Sequence, residues 1–357
     1  MGDFAMTTHE RIARMYRHRE ADRVPIVDSP WRGTIARWRR EGMPKGIEWQ
    51  DYFGADKLGG VGVDISPRYE RKILEENDRW YIETTSYGVT LRQFKELDAT
   101  PEFLDFKVNS PELWQDAKHR MQDLTNRIDW KRLKRDYPKW KAEGRWLSGT
   151  FWFGFDVTHS GLVGTETLLI AMLEEPAWVM DIFDTYLRGC EALFDQIWDA
   201  GYVFDEMMWY DDMGYKGTTF FSPALYRELV QPFHKRAVAW AHRKGIYARL
   251  HSCGDVRTLL PDIVATGVDA LNPLEAKAGM DALRIKREYG DRLLLHGGVN
   301  AVLWEDRERI VAEIERLVPA LKENGGYIFA SDHSIPSSVS LENFRAIIEA
   351  VKRCGKY

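Results

Sequence analysis

Cysteine is scarce. Cys190, Cys253 and Cys354 are the only three in 357 residues. They are too few and too scattered for a disulfide framework, and a reducing, cytoplasmic setting is expected. Long apolar runs are absent as well. None approaches the ~20 residues that a membrane helix needs, so no membrane partner is expected. Positive charge is not in excess, since 50 Lys and Arg face 55 Asp and Glu for a net charge of −5. That balance speaks against a general nucleic-acid binder. The stretch from Met1 to Arg23 is charged throughout and does not read as a secretory signal. Low-complexity tracts, long linkers and internal repeats are also missing. What is present is ample material for a core, with 44% hydrophobic residues, and unusually many aromatics: 14 Trp, 15 Tyr and 16 Phe. Some aromatics fill a large core, and others suit an apolar ligand pocket.

The first part of the chain is irregular. Thr7 to Arg19 predicts an amphipathic helix with Thr7 or Thr8 as N-cap and Glu10 in its first turn. Arg23–Val27, Gly60–Ile65, Trp80–Thr85 and Val89–Phe94 predict strands. Ser86-Tyr87-Gly88 supplies a hairpin turn between the last two. Pro111 to Gly144 is polar and helical. From Trp146 onward strands and helices alternate. Strands are expected at Trp146–Phe155, Met207–Asp211, Tyr247–Ser252, Ala270–Pro273, Leu293–His296 and Tyr327–Ala330. Helices are expected at Glu166–Ala200 with a break near Pro176, and at Pro223–Lys244, Val256–Thr266, Asp281–Tyr289, Asp306–Asn324 and Leu341–Lys352. This alternation implies right-handed βαβ units and a parallel sheet. Short βα loops without a Gly-rich dinucleotide loop favour a closed (β/α)₈ TIM barrel over a doubly wound sheet. The expectation is one α/β domain over residues 1–357, with an N-terminal extension.

The chemistry-bearing residues share a location. Asp211-Asp212, His251-Ser252-Cys253-Gly254, Glu275, His296 and Asp332-His333 each follow a predicted strand. In a parallel barrel these positions form one rim, where active sites of that fold lie. His251 and Cys253 stand at i and i+2, which face the same way on a strand, so imidazole and thiol can converge on one metal. Thiolate with imidazole favours zinc. A buried cysteine beside a hydrogen-bonded histidine is the commoner meaning of an isolated pair. A third ligand must come from elsewhere on the rim. His333 is the first candidate, with Asp332, Glu275 and His296 behind it. Of Asp211 and Asp212, strand alternation lets one face the pocket and leaves the other structural.

Several segments together resemble the uroporphyrinogen decarboxylase superfamily over nearly the full length. They are Thr8-His9-Glu10-Arg11 leading to Ala21-Asp22-Arg23-Val24-Pro25, then Trp209-Tyr210-Asp211-Asp212-Met213-Gly214 and Ser222-Pro223-Ala224-Leu225-Tyr226. They continue with His251-Ser252-Cys253-Gly254, Gly267 to Glu275, Gly297-Gly298-Val299 and Ser331-Asp332-His333-Ser334-Ile335-Pro336. The resemblance implies the barrel. It also implies one of two chemistries. The decarboxylase branch uses an Arg-rich segment near the N-terminus, where this chain has Ser29-Pro30-Trp31-Arg32-Gly33. The other branch resembles cobamide-dependent methyltransferases that carry zinc on a His-x-Cys pair and a distant Cys. The pair matches His251 and Cys253, and the distant position falls on His333. Exchanging a thiolate for imidazole makes the site a stronger Lewis acid, suited to an oxygen-containing methyl donor.

The implied function is methyl transfer from an aromatic methyl ether to a corrinoid protein, as in the first methyltransferase of O-demethylase systems. The implied cofactors are Zn²⁺ and a corrinoid carried by the partner, and a homodimer is an allowed assembly. Asp211, Asp212 and Glu275 are candidates to orient a ligand or manage a proton. Trp152, Phe153, Trp209 and Tyr210 are candidates to stack on the substrate ring. The alternatives are a cofactor-free decarboxylase, methyl transfer from a corrinoid to a thiol, and a non-catalytic tetrapyrrole- or corrinoid-binding barrel.

Overall fold

Seven parallel strands form one sheet in the order β1-β6-β7-β10-β11-β12-β13 in a computed structural model that describes residues 6–95 and 100–357. Along the chain, α1 (Thr8–Tyr16), α2 (Arg32–Arg40) and α3 (Trp49–Phe53) precede β1 (Leu58–Gly62). An antiparallel sheet follows, made of β2 (Lys72–Glu76), β3 (Trp80–Thr84), β4 (Val89–Phe94) and β5 (Glu102–Phe106). Next come α4 (Pro111–Gln122) and α5 (Trp130–Ala142), then β6 (Trp146–Trp152), α6 (Phe155–Gly161), α7 (Thr165–Glu174) and α8 (Pro176–Asp199). After β7 (Glu206–Tyr210) and the small hairpin β8 (Gly214–Tyr215) and β9 (Thr218–Thr219), α9 (Pro223–Leu225) runs through a π-helical turn at Tyr226–Val230 into α10 (Gln231–Arg243). The rest is β10 (Tyr247–His251), α11 (Leu260–Val264), β11 (Ala270–Asn272), α12 (Ala282–Tyr289), β12 (Leu294–His296), α13 (Arg307–Lys322), β13 (Tyr327–Ile328) and α14 (Leu341–Cys354).

The extended segment at residues 25–27 closes the sheet. Val27 N–H donates to Phe329 O at 3.0 Å, and Phe329 N–H donates to Pro25 O at 2.9 Å. On the other side Asp56 N–H donates to Ile26 O at 2.9 Å, and the Asp56 carboxylate accepts from Ile26 N at 2.8 Å. Residues 25–27 thus stand as an eighth stave between β13 and β1, and the fold is TIM-barrel-like. The expected N-terminal extension is short. It is α1, held by a capping box in which Thr7 and Glu10 satisfy each other's backbone N–H groups. Tyr16 at its end plugs the barrel floor, stacking on Trp146 at 5.3 Å and on Tyr247 at 4.2 Å.

Most predicted elements appear within a few residues. The exceptions have local causes. The strand expected to reach Phe155 stops at Trp152 because Gly154, at φ 88°, turns the chain into α6. A Cβ at Gly154 would lie 2.4 Å from Asp211 Oδ2. The helix expected over Val256–Thr266 keeps only Leu260–Val264, with Asp255 spent on a turn that binds Arg257. The hairpin around Ser86–Gly88 is present but belongs to a larger sheet. Its outer strands β2 and β5 are almost wholly exposed, so no hydrophobic alternation marks them in the sequence.

The barrel interior is polar. Glu206 on β7 and Arg249 on β10 are fully buried and ion-paired. The Tyr16 hydroxyl donates to Glu206, and Ser148 Oγ donates to it at 2.8 Å. Arg249 also donates to His296 Nδ1 at 2.8 Å, and His296 Nε2 donates to Val27 O at 3.0 Å. Burial, then the Arg249 charge, pushes His296 down to about 3, so it stays neutral. Glu206→Ala leaves Arg249 buried without its counter-charge, and a loss of about 3–5 kcal/mol is expected. Denaturant unfolding measures it, and a loss under about 1 kcal/mol would show that the pair is not needed.

Candidate functional site

His251 ends β10 and points into the barrel mouth. Its Nδ1 lies 2.5 Å from Asn272 Oδ1. Asn272 Nδ2 donates to His296 O at 3.1 Å, which fixes which end of the amide is the acceptor. The His251 proton therefore sits on Nδ1, and Nε2 presents a lone pair. That lone pair faces Cys253 Sγ at 3.2 Å and Asp212 Oδ1 at 3.7 Å. Asp212, His251 and Cys253 together offer an O, an N and an S donor, all within 4.8 Å of one another. This set could hold a divalent metal with a position left open.

The loop that carries Cys253 is clamped. Asp212 Oδ1 accepts from Cys253 N at 2.8 Å, and Glu275 Oε2 accepts from Gly254 N at 2.6 Å. Gly214 N donates to Cys253 O at 3.2 Å, and the two chains cross so closely that a Cβ at Gly254 would lie 2.2 Å from the Gly214 carbonyl carbon. Gly254 also has φ 78°. Burial pushes the His251 pKa down, with the Asp212 charge opposing it. Burial pushes the Cys253 thiol up, and the Asp212 and Glu275 charges add to that. Both groups thus favour their neutral forms, and a cation between them would stabilise the thiolate.

The other predicted residues divide. Asp212 and Glu275 are at the site. Asp211 is not, because it is fully buried behind the strand. It accepts from Asp156 N at 2.8 Å and pairs with His234 Nε2 at 2.9 Å, and His234 Nδ1 meets the Tyr226 hydroxyl at 3.0 Å. Asp211 holds the start of α6 and cannot touch a ligand. Phe153 and Trp209 are also corrected. Both are fully buried in the core beneath the helices, on the outward phase of β6 and β7. Tyr210 and Trp152 are at the mouth, stacked at 4.4 Å, with the Tyr210 ring 4.7 Å from His251. His333 is exposed on the mouth wall but lies outside the three-donor set.

Sequence reasoning missed Asn272, Arg249 and Asp156. Burial, then the charges of Asp212 and Asp211, raises Asp156 to about 8. It follows a strand end, which was the available signal, but the strand was expected to run on through Phe155.

Two cavities meet at the donor set. The inner one, about 330 Å³, is the barrel throat, lined by Met208, Tyr210, Arg249, His251, Asn272 and His333 among others. The outer one, about 750 Å³, lies among the loops above, with Phe103, Asp156, Tyr215, Phe220, Lys277 and Val302 on its walls. Asp212 and Cys253 line both.

The family model for uroporphyrinogen decarboxylase (URO-D) matches residues 157–354, more than half of the chain. The chain belongs to that family. Relatives named uroporphyrinogen decarboxylase include one from Chloroherpeton thalassium, 32% identical over 108 residues, or 29% of this chain and 30% of that protein. Another, from Chlorobium phaeovibrioides, is 32% identical over 133 residues, or 36% of this chain and 37% of that one. The chain thus spans about a third of the length of these curated relatives. A solved methyltransferase from Methanosarcina mazei shares the fold at TM-score 0.64 and 16% identity, covering 98% of this chain and 99% of its own. Among the described residues no helix is long and apolar enough to cross a membrane.

The geometry predicts one zinc per chain in a competition titration. Cys253→Ala should abolish binding and Asp212→Asn should weaken it, each with the barrel still folded. Asn272→Ala should cost about 10–100-fold, the usual effect of losing a ligand's hydrogen-bond partner. His333→Ala should bind normally. Loss of zinc in His333→Ala, with Asp212→Asn unaffected, would restore His333 as the third ligand.

Proposed function

We propose that this chain is a zinc-dependent methyltransferase that moves a methyl group from an aromatic methyl ether to a corrinoid protein. The observation that carries the reading is the position of the donor set on the boundary between two cavities. Displacement at a methyl carbon needs donor and acceptor on opposite sides. The inner cavity has the size of a small-ligand pocket. The outer one opens toward solvent, where a carrier protein can present its cobalt. Asp212, His251 and Cys253 would hold the zinc, which when bound would supply Lewis-acid stabilisation of the charge that develops on the departing oxygen. Asp212 bridges the sites by binding Cys253 N, and Glu275 fixes the turn at Gly254. Asp156, whose carboxyl is pushed up to about 8 by burial and then by the Asp212 and Asp211 charges, is an acid that lines the outer cavity. Tyr210 is the aromatic wall of the inner cavity, with Trp152 stacked on it at the mouth.

The named decarboxylase relatives favour a second reading, decarboxylation of a polycarboxylate. Charge weighs against it. Among the described residues Arg249 is the one Lys or Arg lining the inner cavity, and Glu206 already takes its charge. Asp28 and Asp212 line the same cavity and would repel carboxylates.

Mixing the zinc-loaded protein with reduced corrinoid protein and a panel of methoxylated aromatics tests the proposal. The cobalt(I) absorption should disappear as methyl-cobalt forms, and His251→Ala should abolish this. If no methyl donor discharges cobalt(I), while a carboxylated substrate releases carbon dioxide without zinc, the decarboxylase reading replaces this one.

A further inference from the structure

The free edge of the inserted antiparallel sheet carries a charge pattern that one copy of the chain does not use. In the order β2-β3-β4-β5, β2 pairs with β3 on one side and with no strand on the other among the described residues. Its whole length is exposed, including Ile73 at 56% and Leu74 at 52%. An open edge with exposed apolar side chains is a template for another strand. Residues 71 to 76 read Arg-Lys-Ile-Leu-Glu-Glu, two cations, two apolar residues and two acids in that order. Reversed, the segment is its own charge complement. Antiparallel pairing of two copies would set Arg71 against Glu76, Lys72 against Glu75 and Ile73 against Leu74. Charges that merely blunt an edge need no such order.

Side-chain facing tests that register. Residues opposite each other in an antiparallel ladder point to the same face, whereas positions an odd number apart on a regular strand do not. Here the ladder slips by one residue at Leu74. Lys72 pairs with Thr84 and Ile73 with Glu83, but Glu75 pairs with Ile82 and Glu76 with Tyr81. Lys72 and Glu75 therefore share one face, that of Thr84 and Ile82. Ile73 and Glu76 share the other, and Arg71 joins them, donating to Glu83 Oε2 at 2.9 Å. The slip thus brings each cation to the same face as the acid it would meet. Arg71–Glu83 and Glu76–Lys95 are exposed pairs, which hold their charges weakly. The other edge strand, β5, has two acids and no Lys or Arg, so a second copy finds no counter-charge there.

We infer that two copies of this chain associate edge to edge through antiparallel pairing of β2, which joins their inserted sheets into one. The pairing is twofold and occupies both free edges, so it closes at a dimer. It leaves the β5 edge uncovered, where Phe103 walls the outer cavity. The inference is independent of the proposed activity.

Sedimentation velocity of the full chain tests it. A dimer should form with a dissociation constant of roughly 10–100 μM, the weak range that so short a ribbon allows, and salt should weaken it. A basic-edge variant, Glu75→Lys with Glu76→Lys, and an acidic-edge variant, Arg71→Glu with Lys72→Glu, should each self-associate at least about tenfold more weakly, because like charges then face each other. Mixing the two should restore a dimer that contains one of each. Amide hydrogen exchange on the unaltered chain adds a readout that needs no variant. Protection at residues 71 to 76 should rise with protein concentration. A chain still monomeric at about 1 mM overturns the inference. So does a dimer that both variants leave unchanged, a mixture of folded variants that stays monomeric, growth into filaments, or β2 exchange that ignores concentration.

Discussion

The ion pair between Glu206 and Arg249 organises the inside of this barrel. A TIM barrel interior is usually filled by layers of branched apolar side chains. Here one layer is ionic, with partners on several sides: Tyr16 from the floor, Ser148 from β6 and His296 from β12, while Arg249 Nε is left without one. Two charges in a dry interior are tolerated only with such partners. The pair therefore ties α1, four strands and the closing segment at Val27 into one network. Its reach extends upward, because His296 O receives the amide of Asn272, and Asn272 sets the tautomer of His251. The hydrogen-bond chain that closes the barrel thus also orients the candidate ligand at its mouth.

Above that layer the fold places donors where three loops cross. Asp212, Cys253 and Glu275 come from successive strands, and backbone hydrogen bonds link their loops directly. Gly214 and Gly254 are needed because the two chains pass too closely for any side chain. The resulting clamp positions Cys253 through its backbone and leaves the sulfur against His251 Nε2 at 3.2 Å, within the donor set. The buried Asp211–His234–Tyr226 chain does similar work on the neighbouring loop, holding the start of α6 so that Asp156 faces the outer cavity. A π-helical turn begins at Tyr226, the irregularity that such functional regions often contain.

The inserted antiparallel sheet and the aromatic residues illustrate where sequence patterns lose their force. β3 and β4 were legible through their hairpin turn, but β2 and β5 have no buried face and so no periodic mark. Phe153 and Trp209 look like pocket residues because they stand beside Trp152 and Tyr210. On a strand, neighbours point oppositely, so one of each pair enters the helix-covered core, while Tyr210 faces the throat and Trp152 stacks on it at the exposed mouth. The choice depends on strand phase, which turns on a residue or two at the strand's end.

The sequence by itself determined the strand–helix alternation, the gathering of polar residues at strand ends, and the shared direction of His251 and Cys253. Each follows from local periodicity, which a short segment carries within itself. Tertiary structure alone decided that Asp212 and not Asp211 faces the mouth, and that Asp212 joins the histidine and cysteine while His333 stays outside. It also decided that Asn272 and Arg249, silent in the sequence, stand behind the site. These outcomes depend on register between strands far apart in the chain and on the paths of crossing loops, and no local pattern encodes a distance between them.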